Sequence, residues 1–135
     1  MVEHLCVPVP ATTHRHGFEI HERWSDWLVV LSVNDEVDTL TAPQLSQAIC
    51  KALGNSATAL IIDLTEVTFL ASVGMSVLVA AQQAADAMAV RFAVVAEGVA
   101  TSRPIRLLGI DAVLALFPTL GDALRAVRRE DPYEA

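Results

Sequence analysis

Two short runs constrain the fold more than anything else in the chain. "ATALIIDL" (residues 57–64) and "VRFAVVA" (90–96) are almost continuously apolar. Strands of that kind are covered on both faces, an arrangement found mainly in parallel sheets layered with helices. Parallel neighbours also need a crossover between them. The stretch between the two runs supplies one: "SVGMSVLVAAQQAADAM" (72–88) reads as a helix, apolar over much of its surface and therefore deeply packed.

The rest of the chain extends the alternation. "FEIHERWSDWLVVLSVN" (18–34) predicts two strands, at 18–24 and 27–33, turned at "SD". In "NDEVDTLTAPQLSQAICKALGN" (34–55), Thr41 and Gln44 have capping-box spacing and Pro43 suits a first turn. Leu45, Ala48, Ile49 and Leu53 make one apolar face, and Gly54 ends the helix. "TSRPIRLLGI" (101–110) has the Ser/Thr, early Pro and terminal Gly of a short helix. "AVLALFP" (112–118) predicts a last strand. Thr119 and Asp122 form a second capping box, opening a helix whose arginines gather at its C-terminal end. The expected order is ββαβαβαβα, a mixed and largely parallel α/β sheet covered by about four helices. Residues 1–16 read as a mobile arm, 17–130 as a single domain and 131–135 as a short tail.

Composition narrows the functional classes. With 53% hydrophobic and 19% charged residues over 135 positions, the chain can bury a sizeable core. A formal net charge of −7 argues against non-specific binding to nucleic acid or an anionic membrane. The N-terminal stretch lacks the basic and apolar regions of a signal peptide, so a cytoplasmic protein is expected. Cys6 and Cys50 have no metal-binding spacing and make no disulfide framework, and are expected to be buried or idle thiols.

The chemical question lies at "FLASVGMS", where Ser72 ends a strand and opens a helix. Three roles suit such a serine. As a nucleophile it would need a base, but Leu70 breaks the G-x-S-x-G pattern, and His4, His14, His16 and His21 all lie upstream. A hydrolase is therefore disfavoured and no enzymatic activity is expected. As a helix cap, Ser72 would contribute about 1 kcal/mol. As a phosphate acceptor it would place a dianion at a helix N-terminus, where free N–H groups and the helix dipole favour negative charge. Gly74 adds a clue, because glycine inside a helix costs about 1 kcal/mol relative to alanine. A close backbone approach at that point would explain it.

These residues resemble a known family. "DLTEVTFLASVGMSVL" (63–78) resembles the phosphorylation-site signature of the STAS domain, the sulfate transporter and anti-sigma factor antagonist module. "DEVDTLTAPQL" (35–45) resembles that family's second signature, and "TSRPIRLLGIDAVLALFPTLGDAL" (101–124) its C-terminal third, most closely in actinobacterial anti-anti-sigma factors. The resemblance covers roughly residues 18–130 and implies a regulator that acts by binding. Its unphosphorylated form would hold an anti-sigma factor, usually an ATPase-fold serine kinase, and so release a sigma factor during a stress response. Phosphorylation would break the complex and a phosphatase would reset it. By position, the resemblance makes Ser72 the phosphoacceptor and Asp38, Thr41, Ala71, Ser72, Val73 and Gly74 the partner-binding face. It implies no cofactor and no metal. The alternative it leaves open is a STAS module in another assembly, stressosome-like or ligand-sensing. This chain carries Ala71 and Asp35 where the family commonly has Asp and Gly.

Weaker signals have simpler readings. Asp35, Glu36 and Asp38 read as a solvated turn rather than a cation site, and the histidines lack a cysteine pair for zinc. Arg103 and Arg106 suit a solvated face, or contact with an acidic partner. Trp24 and Trp27 are expected to cover the sheet edge.

Overall fold

The computed structural model describes residues 17–129, so the expected arm at 1–16 and tail at 131–135 lie outside the described residues. Strands β1 (Ile20–Ser25) and β2 (Leu28–Val37) form an antiparallel hairpin in which Ser25 faces Leu28. Its tight turn needs a left-handed residue. Asp26 takes that role at φ 56°, a conformation aspartate tolerates better than most side chains.

From β2 onward every strand is parallel to its neighbour, and the strand order follows the sequence from β1 to β5. Helix α1 (Ala42–Gly54) leads to β3 (Ala59–Leu70), and α2 (Ser72–Ala87) to β4 (Arg91–Val95). Helix α3 (Ser102–Leu107) and a 3₁₀ turn (Ile110–Ala112) lead to β5 (Leu116–Phe117), and α4 (Leu120–Arg129) follows. Right-handed crossovers that always step the same way keep their helices on one face of the sheet. The core shows this division. Leu60, Ile62 and Leu64 of β3 pack with Leu45 and Ile49 of α1, Leu78 and Ala81 of α2 and Ile105 of α3. The intervening Ala59 and Ile61 turn to the other face, where Ala123 and Val127 of α4 cover them. Burial on both faces is the reason these strands read as unbroken apolar runs.

The architecture agrees with the expected mixed sheet and four helices, and the differences are local. β2 runs on to Val37 through two register shifts against β3, one of them between Asp35 and Glu36. Such bulges break the two-residue alternation that marks a strand in sequence. β5 has only two residues, because Val113 and Leu114 follow the 3₁₀ turn instead of joining the sheet. Trp24 and Trp27, on either side of the hairpin turn, are 37% and 62% exposed. Cys50 on α1 is disulfide-bonded, which overturns the idle-thiol expectation there; the other cysteine, Cys6, lies outside the described residues. No helix among the described residues is long and apolar enough to cross a membrane.

Candidate functional site

The candidate site is built from two neighbouring strand ends. Val37 pairs with Leu70, so Asp38 and Ala71 leave the sheet side by side. The Ala71 N–H donates to the Val37 carbonyl at 2.8 Å, closing the gap between the two exits. In parallel α/β sheets the carboxyl ends of strands are where partners and ligands gather, because the outgoing loops and helix N-termini converge there.

The loop after β2 is held by its own side chains. Thr41 Oγ1 donates to the Glu36 carbonyl at 2.7 Å and accepts from the Asp38 N–H at 2.9 Å. Asp38 Oδ1 accepts from the Leu40 and Thr41 N–H groups at 3.0 and 3.2 Å. The expected capping box is therefore absent: Thr41 precedes α1 but its side chain makes no cap bond. Its hydroxyl turns back to lock the loop instead. Thr41 is fully buried and Asp38 half-buried, so Thr41 shapes this corner from beneath while part of Asp38 remains open to solvent.

Gly74 holds the second exit against the first. A Cβ there would lie 2.6 Å from Val37 Cγ1 and 2.8 Å from Leu70 Cδ1, closer than carbon atoms can approach. Only glycine lets the first turn of α2 press onto the ends of β2 and β3. The close approach expected from the sequence is real, and it is made by the protein's own core. Gly74 is buried, whereas Ser72 is exposed and Ala71 and Val73 are half-buried.

Ser72 is not the helix cap. Ala71 occupies the N-cap position in extended conformation and no side chain caps α2, which leaves Ser72 as the first helical residue. Ser72 is exposed, and the N–H groups of Ser72 and Val73 have no partner among the described residues. One turn on, Ser76 donates its hydroxyl proton to the Ser72 carbonyl at 3.1 Å. Ser72 also lines an open groove together with Met75, Val79 and Ala80 of α2 and Leu108 and Ile110. Phe69, half exposed on β3, lies just before the same corner.

The remaining candidates are scattered. His21, the one histidine among the described residues, sits on edge strand β1 with Nε2 3.2 Å from Glu19 Oε1. Among the described residues no group of three or more His, Cys, Asp or Glu side chains is placed to hold a metal ion. Asp35 adopts φ 65° at the β2 bulge, which accounts for the glycine the resembling family prefers at this position. Arg103 and Arg106 point outward from α3, and Arg106 lies 3.7 Å from Asp111. The groove beside Ser72 escaped the sequence reading. Its signal was the Leu107–Leu108 pair just before Gly109, since a six-residue helix with one inward face cannot bury both.

Comparison with known proteins bears on the fold and the family. The STAS domain family model matches residues 18–123. The anti-sigma-F factor antagonist RsfB of Mycobacterium tuberculosis is 46% identical over 101 residues, spanning 75% of this chain and 82% of that protein. A crystal structure of an anti-sigma factor antagonist from Mycobacterium paratuberculosis is 42% identical with a TM-score of 0.74, covering 87% of this chain and 97% of that one. SpoIIAA in its unphosphorylated form shares the fold at 19% identity and a TM-score of 0.68, over 84% of this chain and 97% of that one. The chain belongs to the STAS domain family.

Proposed function

We propose that this protein is an anti-sigma factor antagonist whose binding is switched by phosphorylation of Ser72. The observation that carries the reading is the exposed Ser72 on the first, uncapped turn of α2, beside the Asp38 loop. It is supported by 46% identity to an anti-sigma-F factor antagonist. The unphosphorylated protein binds an anti-sigma factor, an ATPase-fold serine kinase, through Asp38, Ala71, Ser72 and Val73, with buried Thr41 and Gly74 holding those residues in place. Transfer of a phosphoryl group to Ser72 Oγ puts two negative charges where the partner sits. The unpartnered N–H groups of Ser72 and Val73 stabilise that phosphate on the free protein. A tenfold loss of affinity needs only about 1.4 kcal/mol, within reach of one phosphate in an interface. A phosphatase returns the protein to its binding form.

Incubation of the protein with its anti-sigma partner and ATP, followed by peptide mass spectrometry, tests the modification. Phosphate is expected on the peptide containing Ser72 and absent from Ser72→Ala. Phosphate on another residue, or none with a partner that phosphorylates other proteins, contradicts the switch.

A further inference from the structure

The largest departure from ordinary surface composition lies around α3. Val99, Leu107 and Leu108 are 79%, 73% and 62% exposed. The cause is local: the six-residue helix turns only Ser102 and Ile105 inward, and Gly109 at φ 74° then swings the chain away. Val99 and Leu107 share one open depression of about 520 Å³ with Glu97, Arg103 and Arg106. Adjoining exposed apolar side chains rimmed by charge are the mark of a protein-docking surface.

We propose that this face is where two copies of the chain associate, about a two-fold axis. The charges select that occupant. The chain carries 9 basic against 16 acidic residues, so two copies repel over most of their surfaces and must meet where the local charge is balanced. Arg103, Arg106 and Glu97 line this depression, and Asp111, 3.7 Å from Arg106, completes the balance of charge around it. Arg106 and Asp111 are already paired within the chain. Arg103 and Glu97 make no ion pair among the described residues. In a two-fold contact each residue meets its counterpart's neighbours reciprocally. Arg103 of each copy then faces Glu97 of the other, two equivalent pairs enclosing Val99 and Leu107. A strongly acidic or strongly basic partner satisfies only one member of that set; a second copy satisfies both.

Sedimentation equilibrium of the full chain over a wide concentration range tests the proposal without reference to any other protein. A reversible dimer is expected. Leu107→Ser, which removes an exposed apolar contact and touches no core, raises the dimer dissociation constant at least about tenfold. Arg103→Glu and Glu97→Arg each set like charges together and each yield monomer. An equimolar mixture of those two variants restores both opposite-charge pairs and reassociates. Circular dichroism verifies that every variant is folded. A wild type that stays monomeric up to about 1 mM, a dimer indifferent to Leu107→Ser, or a mixture that fails to reassociate overturns the proposal.

Discussion

A methyl group at position 74 would collide with Val37 and Leu70, and Val37, branched at Cβ, has little freedom to turn aside. Gly74→Ala is therefore expected to lose about 1–2 kcal/mol, the overpacking cost exceeding the gain in helix propensity. Urea unfolding measures it, and a stabilised variant would mean that the strand ends give way easily. Asp35 is the opposite case: a side chain where φ is 65°. Asp35→Gly relieves that conformation but loosens the unfolded chain, so a change within about 1 kcal/mol of zero is expected, with no loss of fold. Ala71→Asp offers the missing cap to α2 and should add about 0.5–2 kcal/mol, read from the same unfolding midpoints. Each of these positions involves a backbone conformation or a close approach. The sequence flagged Gly74 because glycine is costly in a helix, yet nothing local said which atoms it had to avoid.

At the scale of elements, the loop between β2 and α1 is the part the sequence misread. Thr41 and Gln44 stand at the spacing of a capping box, but the register of β2 against β3 brings the Glu36 carbonyl and Asp38 N–H to the Thr41 hydroxyl. A part-buried carbonyl and N–H left together without partners cost more than one missing cap, so the loop takes the hydroxyl. Thr41→Val keeps the volume and strands both groups. A loss of about 1–3 kcal/mol is expected, whereas a solvent-facing cap would lose only about 1 kcal/mol. The second box is half realised: Thr119 Oγ1 accepts from the Asp122 N–H at 3.1 Å, while the Asp122 carboxylate pairs with Arg125. The double-faced strands β3 and β4 and the helices between them were legible because burial on both faces leaves a plain apolar signature. The two-residue β5 is shorter than its apolar run predicts, since of the residues ahead of it Leu114 enters the core from a turn and Val113 is exposed.

For the whole molecule, sheet order and core division follow from three apolar parallel strands and the helices joining them. The fold sets the ends of β2 and β3 side by side and so gathers Asp38, Ala71 and Ser72 from separate parts of the chain at one corner. Sequence signatures located those residues. They could not show that Thr41 and Gly74 sit beneath the corner while Ser72 is exposed, because burial depends on the register between strands. The apolar groove beside Ser72 was equally hidden, since it forms between α2 and the segment after α3, which are distant in sequence. The functional reading stands on whether that corner binds an anti-sigma factor in a way that a charge on Ser72 abolishes. The decisive measurement uses tagged wild type, Ser72→Ala and Ser72→Glu to capture proteins from lysate of the source organism, with mass spectrometry of what is held. An ATPase-fold anti-sigma factor is expected on wild type and Ser72→Ala, and at least about tenfold less of it on Ser72→Glu, a difference of about 1.4 kcal/mol. Equal retention by all three proteins would contradict the switch at Ser72, and the absence of any such partner would contradict the antagonist role itself.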